Sequence, residues 1–322
     1  MPLKAVPLYL HYNYICPAAL KAVEDEFHGK WLPQHSLDKE LFHYTSSHGM
    51  QGILRERTLW LSDVTSFNDP DEIKYGARLV VDVLRQLEKQ HDHQTSRDFL
   101  DGVRVYIEDF GRKTSHEFFV TCFCENGNLL SQWRGYADQA RGYSLGFNFS
   151  ATTRLSGDKE IFLRRVIYCK ARQQNLVKGY IESACEAVRH CAPNHSELGS
   201  ICLGAAQAIF DMMLCFKHEA FAQEKEWRLF RPTLKAHEPS GVRFRDSAGL
   251  LVAYRPMIVF DIADSGANTF PLRTIMCGPA LEFDRARFGI EQLLRQLSTD
   301  SSPIRLVPTV EIKEPGYFLR CR

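Results

Sequence analysis

Four short segments of this 322-residue chain carry side chains able to do chemistry together. The first is Leu41-Phe42-His43-Tyr44-Thr45-Ser46. On a strand, His43 and Thr45 point to one side and Tyr44 to the other. An imidazole and a hydroxyl beside the backbone amides of a following helix suit a sugar or a phosphate, although His43 can equally bond within a sheet while Tyr44 fills core. The second, Ser66-Phe67-Asn68-Asp69-Pro70-Asp71-Glu72, reads as a helix start, with Asp69 as N-cap, Pro70 at N1 and Glu72 at N3. Capping accounts for both carboxylates without catalysis, and Asn68 either organises the turn or binds a ligand. The third places Cys122, Trp133, Tyr136, Gly142, Tyr143 and Gly146 on a strand, a short helix and a second strand. Trp133 and Tyr136, three apart, share a helical face and are either core or a platform for a planar ring. Cys122 shows neither the paired His nor the electropositive setting that a nucleophilic thiol needs. The fourth is the charge-dense Phe221 to Phe230. On a strand there, Glu226 and Arg228 face one way while Trp227 and Leu229 face the core, the bland alternative being an exposed edge strand with a weak ion pair.

The elements that must hold these residues alternate closely. Leu41–Thr45 and Leu59–Leu61 read as strands around a helix capped by Ser47, with Met50, Ile53 and Leu54 on one face. Helices follow at Pro70 to Lys89 and Arg97–Phe110, and strands at Phe118–Phe123 and Tyr143–Phe149 flank a short helix, Leu129–Ala137. Ile161–Tyr168 is strand-like. Asn175–His190 and Glu197–Ala222 read as helices, and Trp227–Phe230, Met257–Ile262 and Arg273–Cys277 as strands. A helix at Asp284–Leu297 and strands at Ile304–Leu306 and Thr309–Ile312 complete the pattern. Many short strands without a regular βαβ repeat indicate an α+β fold with a mixed, mostly antiparallel sheet and peripheral helices. Residues 1–40 are set apart as an N-terminal extension with a short helix at Ala18–Phe27. Residues 41–322 form a single domain with a helical insertion at about 171–222. No Gly-x-Gly-x-x-Gly follows a strand and no Gly-x4-Gly-Lys occurs, which removes the dinucleotide-fold and P-loop readings.

Composition narrows the partners. Forty basic residues against 39 acidic ones give a net charge of +1, so no bulk attraction to nucleic acid or an anionic membrane is expected. The ten cysteines lie mostly in apolar stretches such as Ile201-Cys202-Leu203, where a reduced thiol acts as a small hydrophobe. No secretory signal opens the chain and no segment is apolar enough to span a membrane, so a reduced cytoplasmic protein without a membrane partner is expected. Cys122-x-Cys124 lacks a His at finger spacing, so no metal is expected.

Taken together, Tyr44-Thr45, Phe67-Asn68-Asp69-Pro70 with Glu72, Cys122-Phe123, Trp133-x-x-Tyr136, Gly142 to Phe147 and Glu226-Trp227-Arg228 resemble a large bacterial family. It is known mainly as a domain of unknown function, numbered twenty-nine seventy-one. The resemblance runs from about Leu41 to Pro279. More remotely, Phe42-His43-Tyr44-Thr45 with Gly52-Ile53-Leu54 is similar to the opening of ADP-ribosyltransferases, whose split sheet clasps NAD with a His, a Tyr or Ser, and a Glu. That likeness implies His43, Tyr136 and Glu226 as catalytic residues, with Tyr143 in reserve for Tyr136. Tyr44, Thr45, Asn68, Trp133, Arg134, Tyr143 and Arg228 would surround NAD, Arg134 or Arg228 neutralising the pyrophosphate. Tyr44 stands where many members have Gly, whose backbone binds the nicotinamide amide. The implied activity is ADP-ribosyl transfer to a protein or nucleic acid, or NAD hydrolysis, in a bacterial toxin or antiviral defence effector. Two alternatives remain open: a non-catalytic nucleotide- or partner-binding module, and a metal-dependent nuclease using Asp69, Asp71 and Glu72.

Overall fold

The computed structural model describes residues 39–64, 71–112, 118–149, 153–155, 162–191, 193–231, 241–247, 249–262, 268–306, 309–317 and 319. The N-terminal extension to residue 38, with its expected helix, and the Phe67-Asn68-Asp69-Pro70 turn lie outside them. Among the described residues the fold is mixed α/β, with a curled sheet of thirteen strands and helices on its flanks. No helix there is long and apolar enough to cross a membrane.

β3 (Phe119–Cys124) is the centre of the architecture. β7 (Glu226–Arg231) pairs antiparallel with its whole length, from Phe119↔Arg231 to Cys124↔Glu226. Its other edge is therefore left to two strands at once. β2 (Thr58–Asp63) takes one end, at Val120 and Phe119, and β1 (Leu41–Thr45) takes the other, at Cys124 alone. Between those pairings the two strands part, leaving the middle of the β3 edge open. Beyond β1 the sheet continues through β4 (Tyr143–Phe147) and β11 (Leu272–Cys277) to β13 (Glu311–Lys313). Beyond β2 it continues through β9 (Leu250–Ile262), which also pairs with β5 (Thr153–Leu155), β8 (Arg243–Ser247) and β10 (Asn268–Phe270). β6 (Phe162–Arg165) lies outside β7, so β7 is an interior strand and not the edge. Pairing is antiparallel throughout, except that β13 runs parallel to β11 and β12 (Ile304–Leu306) parallel to β10.

Each face of the sheet has its own core. Val120 and Phe230 pack under four helices: α2 (Asp71–Glu88), α3 (Gln94–Arg112), α5 (Lys170–Cys191) and α6 (His195–Met213). On α2, Ala77, Val80, Val81, Leu84 and Leu87 recur at three- and four-residue spacing and are all buried. The opposite face, with Phe119, Phe123 and Leu229, packs on α1 (Ser47–Glu56) and α7 (Phe283–Ser298). The remaining helix, α4 (Leu130–Tyr136), sits over β1.

Several boundaries differ from the sequence reading for identifiable reasons. Ser46, not Ser47, caps α1, because its extended backbone lets Oγ accept from the Gly49 amide at 3.2 Å. The helix expected over Glu197–Ala222 stops at Met213; a 3-10 turn follows only at Glu219–Glu224. Its start is fixed by a capping box between Asn194 and Glu197. At the break, Ile167 bridges to Phe216, and buried Gln173 donates to the Ile167 and Lys217 carbonyls at 2.6 and 3.0 Å. These tertiary bonds replace the intrahelical ones. The β8–β9 hairpin was not anticipated: the Arg243–Ser247 strand is mostly polar and has no apolar alternation. None of the eight described cysteines forms a disulfide.

Candidate functional site

The open stretch of the β3 edge carries the site. Two side chains occupy it in place of a backbone ladder. Thr121 Oγ1 donates to the Trp60 carbonyl at 2.6 Å, and His43 Nδ1 lies 2.9 Å from the Cys122 carbonyl. A carbonyl only accepts, so Nδ1 carries the proton and Nε2 is left as an acceptor. Burial, reinforced by the charge of Arg245, lowers the His43 pKa to about 4, against the opposing pull of the Cys122 hydrogen bond. The ring is thus a neutral acceptor at physiological pH. A cavity of about 210 Å³ opens here, and His43, Thr45, Tyr136, Glu226, Arg228 and Arg245 are among the residues lining it.

Glu226 and Arg228 do face the same way, as strand periodicity requires, but they face inward and are only 3% and 1% exposed. The exposed edge pair considered from sequence is instead a buried network. Arg228 Nε donates to Glu226 Oε1 at 2.8 Å, Nη1 to the Leu214 carbonyl at 2.7 Å, and Nη2 to Glu226 and Glu72. Lys217 Nζ reaches Glu224 at 2.6 Å, Glu226 at 2.9 Å and Glu72 at 3.6 Å. Three carboxylates therefore share two cations. Burial pushes the Glu226 carboxyl up, but Arg228 and Lys217 outweigh it and hold Glu226 ionised, well below the usual carboxylate range. Glu224, farther from Arg228, keeps a raised pKa because its burial is not fully offset by Lys217. Burial and the adjacent Glu226 charge push the Cys122 thiol well above its ordinary pKa, the opposite of what an activated nucleophilic thiol needs.

Each expected residue has a definite place. His43, Tyr136 and Glu226 converge on the one cavity, with Thr45 beside them. Tyr136 is 44% exposed and leaves its ring available. Tyr44 borders the cavity, but its ring packs edge-on against Trp133 at 4.9 Å, and its hydroxyl donates to the Asn126 carbonyl and accepts from the Leu129 amide. Trp133 is fully buried and donates Nε1 to Asn128 Oδ1 at 2.9 Å, so it is core and not a stacking platform. Tyr136, three residues on, is not buried with it because α4 ends there. Arg134 is exposed and outside the cavity lining. Tyr143 is buried and borders a separate groove between α1 and α7. Arg228, one of the two arginines considered for the pyrophosphate, has its guanidinium engaged by two carboxylates. Asn68 and Asp69 lie outside the described residues, while Asp71 pairs with Lys74 on the surface and Glu72 turns into the network. Asp71 and Glu72 thus lie in different surroundings, one exposed and one buried.

Sequence reasoning missed Glu72 as a network member, along with Lys217, Glu224 and Arg245. Lys217 offered a signal, a lysine directly following the apolar run Leu214-Cys215-Phe216. A cation there needs a buried partner.

A family model described as a protein of unknown function (DUF2971) matches residues 132–229. Over those residues the chain matches the family that its motifs suggested. The matched stretch holds Tyr136, Lys217, Glu224, Glu226 and Arg228, the α4, α5, α6 and β7 side of the site; His43 and Arg245 lie outside it. No curated protein and no solved structure matches the chain.

Proposed function

We propose that this protein cleaves the nicotinamide–ribose bond of NAD, as an ADP-ribosyltransferase or an NAD glycohydrolase. The observation that carries the reading is the convergence of His43, Tyr136 and Glu226, from three separate elements, on one cavity at the parting of β1 and β2. Cleavage passes through an oxocarbenium-like state, which an ionised carboxylate stabilises. Glu226 is such a carboxylate, and its cluster of Glu72, Glu224 and Glu226 against Lys217 and Arg228 carries a formal charge of −1, attractive to a cationic ring and ribose. Neutral Nε2 of His43 suits a ribose hydroxyl as donor. The exposed Tyr136 ring suits stacking on nicotinamide. At about 210 Å³ the cavity holds only part of a dinucleotide, below the roughly 300–1,000 Å³ of pockets that enclose a drug-sized ligand. The remainder of NAD would extend along the parted strands. The acceptor is a protein, a nucleic acid or water, and a role as toxin or defence effector in a bacterial cytoplasm rests on the motif resemblance alone.

One observation favours a second reading. Both Glu226 oxygens are already engaged by Arg228 and Lys217, as in a rigid, non-catalytic nucleotide-binding module. Mass spectrometry of NAD incubated with the protein and a cell lysate separates the two. The enzyme reading expects NAD consumption that disappears in Glu226→Gln with the fold retained. NAD bound but never consumed by the wild type would establish the binding module, and NAD neither bound nor consumed would remove both.

A further inference from the structure

The cavity has a second end that the catalytic reading does not use. Arg245, on β8, lines it together with Trp60 and Ser62 of β2. Strand pairing puts these residues on one face: Arg245 lies opposite Val252, and Ser62 opposite Tyr254, two residues along β9. One Arg245 nitrogen, Nη2, donates to Ser62 Oγ at 3.0 Å, and the guanidinium lies 6.0 Å from the Trp60 ring centroid. Its Nε is buried with no acceptor, and so is the indole Nε1 of Trp60. Among the described residues no carboxylate lies within ion-pair distance of Arg245, whereas Lys217 and Arg228 in the same cavity are each held by carboxylates. Desolvation acts against the charge of Arg245, opposed only by the weakly acidic phenol of Tyr254.

A half-buried guanidinium with no carboxylate partner among the described residues and a buried, unpartnered Nε, lining the same cavity as an indole N–H without an acceptor, is costly unless something occupies the position. Water can accept from the N–H groups but leaves the charge unpaired, whereas an oxyanion satisfies both, and the planar fork of Arg matches phosphate geometry. We infer that Arg245, with Trp60 and Ser62, forms a phosphate-binding subsite at the β2–β8 end of the cavity, opposite the acidic cluster. The ligand it takes is a phosphoryl oxyanion, and the cavity is polarised, with a cation-favouring end at Glu226 and an anion-favouring end at Arg245. This deepens the NAD reading by assigning its pyrophosphate to Arg245 in place of Arg134 or Arg228; it rests on that reading for the identity of the ligand only.

The test is calorimetric titration of the full chain with inorganic pyrophosphate at fixed ionic strength. Wild type is expected to bind, and Arg245→Gln to weaken binding roughly tenfold or more, the scale of one charged hydrogen bond. Trp60→Phe keeps the ring, removes the N–H, and is expected to weaken binding less. Arg285→Gln, in the separate groove beside α7, is expected to change nothing. Absence of pyrophosphate binding by the wild type overturns the inference, as does unchanged affinity in Arg245→Gln. Should Arg245→Gln fail to fold, Arg245→Lys and Trp60→Phe decide, and unchanged affinity in both overturns it. The two readings fail separately. Pyrophosphate binding through Arg245 without any NAD consumption sinks the enzyme and leaves the subsite. NAD turnover with an unchanged KM in Arg245→Gln does the reverse.

Discussion

Glu226 stands at the boundary between stability and chemistry. Two cations keep it ionised, and the same contacts fix its orientation toward the cavity. Glu226→Gln preserves shape but removes the charge shared by Arg228 and Lys217, and breaking a buried ion pair costs about 3–5 kcal/mol. The expected outcome is a lower denaturant midpoint together with loss of NAD consumption. Arg228→Ala is expected to lose at least as much stability, because it also takes from Glu72 its nearer cation and leaves it only the longer contact to Lys217. His43 gives a pH signature. Its folded pKa of about 4 lies below the ordinary 6.5, so between those values the unfolded chain binds the extra proton. His43 therefore contributes stability that is complete above about pH 6.5 and lost as pH falls through 4, about 3 kcal/mol in all. Urea midpoints measured from pH 7 to 4 should fall, and His43→Asn, whose amide can still donate to the Cys122 carbonyl, should flatten the part of that slope due to the ring. An unaltered slope in the variant would show that His43 does not titrate as described.

At the scale of elements, α4 and the turn after it hold Tyr136 over the cavity. Trp133 anchors the helix from below, and Tyr44 ties the Asn126–Leu129 approach to β1. Asp138, Gln139 and Ala140 then run through the left-handed region in succession (φ 46, 52 and 72°), a conformation that costs roughly 1–2 kcal/mol per residue and persists only when its surroundings impose it. The constraint is visible. Ala140 N bonds to the Trp133 carbonyl, Gly278 N to the Gly142 carbonyl and Ala280 N to the Ala140 carbonyl. A Cβ on Gly278 would strike the Ala140 oxygen, and one on Gly142 the Thr45 oxygen, both backbone atoms that cannot yield cheaply. Gly278→Ala is expected to lower Tm clearly and to increase protease cutting within 137–142. Trp133→Ala should cost about 3–5 kcal/mol by leaving a large cavity. Were Trp133 a stacking platform instead, that substitution would weaken ligand binding and leave Tm nearly unchanged.

Across the whole molecule, remote parts of the chain are locked by single buried groups. Arg57, fully buried at the end of α1 with φ 54°, donates to the Leu54, Arg55 and Leu297 carbonyls and to Asp300, tying the β1–α1–β2 unit to α7 some 240 residues later. Arg57→Met fills the volume but leaves three carbonyls and a carboxylate short of a donor. A drop of about 3 kcal/mol or more in unfolding free energy is expected from denaturant titration. The sequence by itself determined what local physics can write. It placed most strands and helices within a few residues, through apolar spacing and caps, and it showed that His43, Tyr136 and Glu226 were worth singling out. It also showed Glu226 and Arg228 to share one side of a strand, because a two-residue period needs no tertiary information. It did not show which side is buried, since that depends on α2, α5 and α6 covering β7. The break after Met213 was illegible because the bonds that end the helix come from Ile167 and Gln173. Lys217 and Glu72, which neutralise much of the site, sit 145 residues apart, and Arg245 lies on a strand whose polar sequence gives no periodic signal. Only the tertiary structure decided these, because long-range charge pairing and the parting of two strands along one edge leave no pattern in neighbouring residues.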